Sequence, residues 1–403
     1  MGSIDTMLNT FVGPLRYLAD ERSRVHCSLN LNTETGRLSS RRPNLQNQPA
    51  LEKDQYLIRK AFRAEEGRAL VVADYGQLEL RLLAHVANCE SMLAAFRDGG
   101  CFHSRTAVGM FEHVRAAVER GEVLLEKGSD GDADTPLVKD VYASERRRAK
   151  TLNFSIAYGG RADLPLMTRG GATAATWTFR GDESRRRRGR DADIPWSRRR
   201  RGRDADIRSR GRDADIPWSR PRRGSTKETG GRLRYGKTAH GLARDWGVGH
   251  DEAQEMLRAW YDDRPEVEAW QKRTIADARR TGYTTTLMGR RRRLPDLLER
   301  NRALQGRGAR AAINTPIQGS AADVVMMAMI QLHESPVLAD LGYKLLLQIH
   351  DEVILEGPAE HREAALAEVV AVMERPFDGI GLDPLLVDLT VDANTAETWY
   401  EAK

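Results

Sequence analysis

At 403 residues the chain is long enough to bury a sizeable core and to form more than one domain, and no apolar run approaches the ~20 residues that cross a bilayer as a helix. The net charge of +6 is a poor guide to partners, because residues 160–236 hold 22 Lys+Arg against 10 Asp+Glu and the rest of the chain carries 42 against 48, a net of −6. Cys27, Cys89 and Cys101 form no CxxC pair, so neither a disulfide framework nor a zinc site is indicated, and Met1-Gly2-Ser3-Ile4-Asp5 lacks the basic-then-apolar start of a signal peptide.

In chain order, Ala69-Leu70-Val71-Val72-Ala73-Asp74 reads as a buried strand ending in a carboxylate. Leu78, Leu82, Leu83 and His85 then predict a helix. Arg146, Lys150, Phe154 and Tyr158 recur every four residues. On an α-helix that spacing makes one slowly drifting stripe ~18 Å long at ~1.5 Å per residue, with two cations followed by two aromatics.

Directly after Tyr158-Gly159 the composition changes. Arg-Gly-Arg-Asp-Ala-Asp-Ile occurs three times, starting at Arg188, Arg201 and Arg210, with spacings of 13 and 9 residues that are too short and irregular for a solenoid. Few apolar residues and many like charges predict disorder there. Removing residues 160–236 joins Ala157-Tyr158-Gly159 to Lys237-Thr238-Ala239-His240-Gly241, and the segment, foreign in composition, reads as an in-frame insertion or a retained intron. An electrostatic arm on DNA is the other reading.

Beyond the insert, residues 250–280 are rich in helix formers, with Trp260 and Trp270 as candidate core residues. Arg310, Asn314 and Gln318 again recur at four-residue spacing, although Pro316 must distort a helix there. Residues 344–355 are two apolar runs meeting around His350-Asp351-Glu352, which predicts a β-hairpin, and residues 360–374 predict an Ala/Glu-rich helix.

Asp74 at a strand end and Asp351 in a hairpin turn can meet in an antiparallel sheet across 277 positions of sequence. Hard oxygen ligands of this kind suit Mg²⁺, which keeps several waters and needs only one or two carboxylates plus substrate phosphates. Two such ions can activate a hydroxyl and stabilise a leaving pyrophosphate. The cationic-aromatic stripe matches a nucleoside triphosphate in polarity. Arg146 and Lys150 face phosphates, and Lys150 could protonate the leaving group. Phe154 and Tyr158 offer faces to sugar and base.

In order, spacing and flanks, Asp74-Tyr75-Gly76-Gln77-Leu78-Glu79-Leu80-Arg81, the Arg146-to-Gly159 stripe and Gln348-Ile349-His350-Asp351-Glu352 resemble motifs A, B and C of the family A (polymerase I-like) DNA polymerases. Thr33-Glu34-Thr35-Gly36-Arg37 and Asn47-Gln48-Pro49-Ala50-Leu51-Glu52-Lys53 bring the resemblance nearest to the plant and algal organellar type. The resemblance covers nearly all of residues 4–159 and 237–403.

It implies an α+β fold, with an antiparallel palm sheet and helical fingers in the right-hand architecture, lacking most of the thumb and the exonuclease domain. Residues 1–24 would be a thumb remnant, 25–85 and 300–403 the palm, and 86–299 the fingers, interrupted at 160–236. The implied activity is template-directed addition of dNMP to a primer 3′ end. Two Mg²⁺ would sit on Asp74, Asp351 and the Tyr75 carbonyl, and Asp74, Asp351 and Lys150 would be catalytic. Arg146, Lys150, Phe154, Tyr158, Glu79, Gln77 and His103 would bind dNTP. At His103 the sequence Cys101-Phe102-His103 replaces the family's acid by a cysteine, and a satisfied core histidine is the other reading. Arg37, Asn44, Gln46, Asn47, Arg310, Asn314, Gln318 and His350 would contact primer-template DNA, the last four in its minor groove. Glu79 and Tyr158 imply selection of dNTP over rNTP, which argues against a single-subunit RNA polymerase, and Phe154 implies discrimination against dideoxynucleotides. The partners implied are primer-template DNA and dNTPs, with no membrane, and the location implied is chloroplast or mitochondrion. The alternative from a different class is a catalytically impaired remnant that only binds primer-template, or a gene-model artefact.

Overall fold

The computed structural model describes residues 8–49, 54, 56–125, 135–159 and 239–403. Residues 160–238, with the Arg-rich repeat, lie outside them. Strands β1 (Ser28–Asn30) and β2 (Ser39–Arg41) form a short antiparallel ribbon. Strand β3 (Arg68–Tyr75) leads into helix α1 (Leu78–Ala87). A helical stretch follows: α2 (Glu90–Arg97), α3 (Phe102–Met110), α4 (Glu112–Glu119) and α5 (Ala143–Ala157). Resuming at α6 (Ala239–Trp246), it continues through α7 (His250–Asp262) and α8 (Pro265–Thr281). After the ribbon of β4 (Tyr283–Thr285) and β5 (Arg291–Arg293) come α9 (Arg302–Asn314) and α10 (Ser320–Glu334). The hairpin β6 (Lys344–Ile349) and β7 (Glu352–Pro358), helix α11 (Arg362–Glu374) and strand β8 (Val391–Ala396) complete the chain.

The main sheet has the order β6-β7-β3-β8 and every pairing is antiparallel. Strand β3 is central, which explains why its sequence is an unbroken apolar run rather than an alternation. Val71, Ala73 and Tyr75 pack under α1, α10 and α11, while Leu70 and Val72 pack on the other face with Ile349, Ile354 and Trp399. Burying one such Val or Leu contributes about 1.5–3 kcal/mol, so a charged residue at Val71 would disrupt the layer under α1, α10 and α11. A second, mainly helical core gathers Leu152 and Ile156 of α5, Leu242 of α6, Leu257 and Trp260 of α7, and Val267 and Trp270 of α8. Trp260 and Trp270 are buried, as their setting in the sequence predicts.

Pro316 distorts the helix as expected, with a defined outcome. Between α9 and α10 the backbone runs as a π-helical turn, Thr315–Gly319, which accommodates the missing N–H. Asn314 and Gln318 therefore stay neighbours, and the Asn314 amide donates to Gln318 Oε1 at 3.3 Å.

Candidate active site

Two turns build the centre of the site. The β6–β7 hairpin closes over a two-residue loop, His350-Asp351, flanked by the pair Ile349↔Glu352. His350 there takes a left-handed φ of 56°. At the end of β3, Asp74 pairs with Glu352 and the Tyr75 N–H donates to the Asp351 carbonyl at 3.2 Å. Asp74 and Asp351 are thus held at one end of the central strand pair. Their side chains are 39% and 24% exposed. Burial pushes the Asp351 carboxyl above the usual carboxylate range; Arg37 opposes that rise and the neighbouring Asp74 adds to it. The Tyr75 side chain points the other way and donates to the Met373 carbonyl at 2.7 Å, so only the backbone of Tyr75 is available at the carboxylate end.

Two cations attend the carboxylates. Arg37 Nη2 lies 2.5 Å from Glu79 Oε1 and 3.3 Å from Asp351 Oδ1. Lys403 Nζ lies 2.6 Å from Asp74 Oδ2 and also pairs with Glu352. Glu352 is buried and further accepts from Trp399 Nε1 at 2.7 Å. No cage of three or more His, Cys, Asp or Glu occurs among the described residues. The donor set is instead two hard carboxylates that repel one another and draw cations, and this fits a divalent ion shared with phosphate and water.

The stripe on α5 forms as its spacing requires. Phe154 and Tyr158 stack with ring centroids 5.8 Å apart, and Lys150 Nζ lies 5.9 Å from the Phe154 centroid. Tyr158 is the residue that caps the helix rather than part of it, yet its N–H still donates to the Phe154 carbonyl at 3.0 Å, which keeps it in line. Its hydroxyl donates to Glu79 Oε2. Glu79, on the first turn of α1, is buried, and burial raises its pKa against the pull of Arg37. An unbroken polar chain therefore runs Tyr158–Glu79–Arg37–Asp351, joining the α5 face to the sheet carboxylates.

The other expected site residues divide. Arg146 Nη2 donates to Cys101 Sγ at 3.2 Å, at the foot of α3. Gln77, also left-handed at φ 56°, accepts from the Phe102 N–H at 3.0 Å and so caps α3. His103, the next residue of α3, is 3% exposed and 5.6 Å from the Phe154 ring. Arg37, expected at the DNA, lies between Glu79 and Asp351. Asn44 accepts from the Gln46 N–H at 3.1 Å, and the Gln46 amide donates to Gln348 Oε1 at 3.2 Å beside the His350 turn. Asn47 and Arg310 are exposed, and Gln318 is buried.

Sequence reasoning missed Lys403, the Arg37 chain and the amide Asn153. Asn153 is fully buried and bonds His103, Thr106 and Trp260. Asn153 sits beside Phe154 in the motif B segment, and an amide among apolar neighbours was the one available signal. Lys403 is 329 positions from Asp74, and nothing local marks it.

The sequence profile described as DNA polymerase family A matches residues 3–122 and 217–401. DNA polymerase I B, chloroplastic/mitochondrial, of Arabidopsis thaliana is 46% identical, over 100% of this chain and 31% of its own length. DNA polymerase I A, chloroplastic, of Oryza sativa subsp. japonica is 45% identical over 100% and 32%. The thermostable DNA polymerase I of Thermus aquaticus is 32% identical over 98% and 35%. The chain thus spans about a third of the length of these relatives. Among solved structures, the POL domain of Pol1 from M. smegmatis, in complex with DNA primer-template and dNTP, superposes with a TM-score of 0.68 at 26% identity, over 98% of this chain and 52% of that one. Motif order, an antiparallel sheet presenting two carboxylates, and whole-length similarity to these proteins lead to one conclusion: the chain belongs to DNA polymerase family A.

Proposed function

We propose that the chain catalyses template-directed addition of dNMP to a primer 3′-hydroxyl with release of pyrophosphate, in organellar DNA replication or repair. The observation that carries this is the polar chain from Tyr158 through Glu79 and Arg37 to Asp351, which sets a triphosphate-binding helix face against a carboxylate pair. In this reading residues 25–85 and 300–403 form the palm, 86–299 the fingers, and 1–24 a thumb remnant.

Asp74, Asp351 and the Tyr75 carbonyl would hold divalent metal, in the finer reading two Mg²⁺. Metal bound there supplies Lewis-acid activation of the primer hydroxyl and neutralises developing charge on pyrophosphate. The chain's own residues do the rest. Arg146 grips phosphate oxygens, and Lys150 neutralises the leaving pyrophosphate and delivers its proton. Phe154 and Tyr158 flank sugar and base, with Gln77 bracing the start of α3 behind them. Glu79 and Tyr158 close the space a ribose 2′-hydroxyl would enter, so dNTP is selected over rNTP. Asn44, Gln46 and Asn47 meet the backbone of the duplex. Arg310, Asn314, Gln318 and His350 meet its minor groove, where purine N3 and pyrimidine O2 accept hydrogen bonds in every correct pair. Residues 160–236 are an insertion or a retained intron that follows the fingers helix in sequence.

Primer extension with Mg²⁺ and dNTPs tests this on three proteins: the chain, the chain lacking residues 160–236, and Asp351→Ala. Extension by the first two and none by the third is expected. Extension only after deletion would mark the segment as a lesion. Retained primer-template binding without extension by either intact-site protein would refute the catalytic reading in favour of a DNA-binding remnant.

A further inference from the structure

We propose that Asn153 is a positioning residue that holds His103 as its Nε2–H tautomer, so that His103 offers a neutral donor to the phosphates of the incoming nucleotide. The proposal rests on the polymerase reading for its ligand but not for its hydrogen-bond logic, which starts at Trp260. An indole nitrogen can only donate, and Trp260 Nε1 lies 2.9 Å from Asn153 Oδ1. The amide is thereby oriented, with its oxygen toward α7 and its Nδ2 toward α3.

Nδ2 then has two partners. Thr106 Oγ1 lies at 3.0 Å and sends its own proton to the Phe102 carbonyl at 2.9 Å, so it can accept. His103 Nδ1 lies at 3.1 Å. A primary amide has two protons and no acceptor site on nitrogen, so both are used and Nδ1 must be the bare nitrogen. The ring proton is left on Nε2, which has no hydrogen-bond partner among the described residues.

The surroundings agree. Burial first, then Lys150 and Arg146, push the His103 pKa down to about 3, so the ring is neutral at working pH. A neutral Nε2–H next to two cations suits an anion, and it adds a donor without a third buried charge. A purely structural role for this position would be met as well by an apolar side chain. A buried amide with its hydrogen bonds made fixes the orientation of the groups it bonds, and one of those groups is the His103 ring.

The test uses the full chain labelled with ¹⁵N-histidine, and long-range ¹H–¹⁵N correlation reads the His103 tautomer, assigned with His103→Gln. A neutral Nε2–H ring between pH 6 and 8 is expected. Asn153→Asp puts an acceptor opposite Nδ1, so the ring should become Nδ1–H or cationic. The KM for dNTP should then rise about ten-fold, as for a lost hydrogen bond to a charged group, with kcat moved less. Trp260→Phe removes the anchor without adding charge and should give a mixture of tautomers with an intermediate KM. An Nδ1–H tautomer in the unmodified chain, or an unchanged tautomer in both variants, overturns the proposal. An altered tautomer with unmoved KM overturns its substrate half. A chain that shows the expected tautomer and incorporates no nucleotide refutes the polymerase reading alone.

Discussion

Removing the Arg37 guanidinium while keeping a polar side chain, Arg37→Gln, tests the chain that joins α5 to the sheet. Arg37 is the cation between Glu79 and Asp351, and Glu79 is almost wholly buried. Breaking a buried ion pair from one side costs about 3–5 kcal/mol, because the other charge is left uncompensated. The Arg37 and Asp351 side chains are each about a quarter exposed, so a discounted loss of about 2–3 kcal/mol is expected at neutral pH. At about 2 °C per kcal/mol for a chain of this size, Tm falls by about 4–6 °C. The loss has a pH signature. Burial already raises the Glu79 pKa, and Arg37 holds that rise down. Without Arg37 the folded-state value climbs further, so the folded state binds its proton more tightly than the unfolded chain does. Stability is then retained below the ordinary glutamate value of about 4.3 and is lost as pH rises from there toward the folded value. Thermal melts of both proteins at pH 5 and pH 8 measure this, with the larger gap expected at pH 8. An equal gap at both pH values, or one larger at pH 5, would refute the assignment of Arg37 as the counter-ion of Glu79.

Other substitutions separate the roles. Glu79→Ala opens the space beside Tyr158, and single-nucleotide incorporation should show the dNTP-over-rNTP preference falling at least ten-fold, an effect absent if Glu79 only stabilises the fold. Asp74→Asn keeps the shape of its side chain but removes the charge proposed to hold metal. It should abolish extension while gel-shift affinity for primer-template stays within about two-fold, as expected where phosphate contacts from Lys and Arg dominate affinity. Trp399→Phe removes the indole donor to Glu352 from a fully buried ring, and denaturant unfolding should register a loss of about 1–3 kcal/mol.

Most of the sheet could be read from local pattern. The apolar run 69–74 and the paired runs 344–355 have few alternatives, and the carboxylates sit at their ends where a strand meets a turn. The stripe on α5 follows from period alone. The links between these parts were not legible. Arg37 lies 42 positions from Glu79 and 314 from Asp351, and Lys403 lies 51 from Glu352. Such pairs are fixed by how elements stack, and short segments carry no trace of that. From sequence Arg37 is marked only by its resemblance to a primer-template segment, and its pairing with Glu79 and Asp351 comes from packing.

The backbone shows what those turns are for. Gln77 and His350 both take left-handed φ values, costly for residues with a Cβ, and each lies within three residues of a site carboxylate, Asp74 or Asp351. Glycine would adopt the same angles without that cost; at Gln77 a side-chain contact offsets it, while at His350 the contact is made by the backbone carbonyl. The Gln77 oxygen caps α3 and thereby ties the strand that presents Asp74 to the helix that presents His103. His350 receives the Gln348 amide on its carbonyl, and that residue's side chain is in turn braced by Gln46. Each left-handed turn thus lies beside one carboxylate and one element that the proposed function turns toward the nucleotide or the duplex. Gln77→Gly should therefore relax the turn yet lower kcat, because the relative placement of Asp74 and α3 is lost while every charged group remains. A Gln77→Gly protein with unchanged kcat would show that the left-handed turn serves the fold alone.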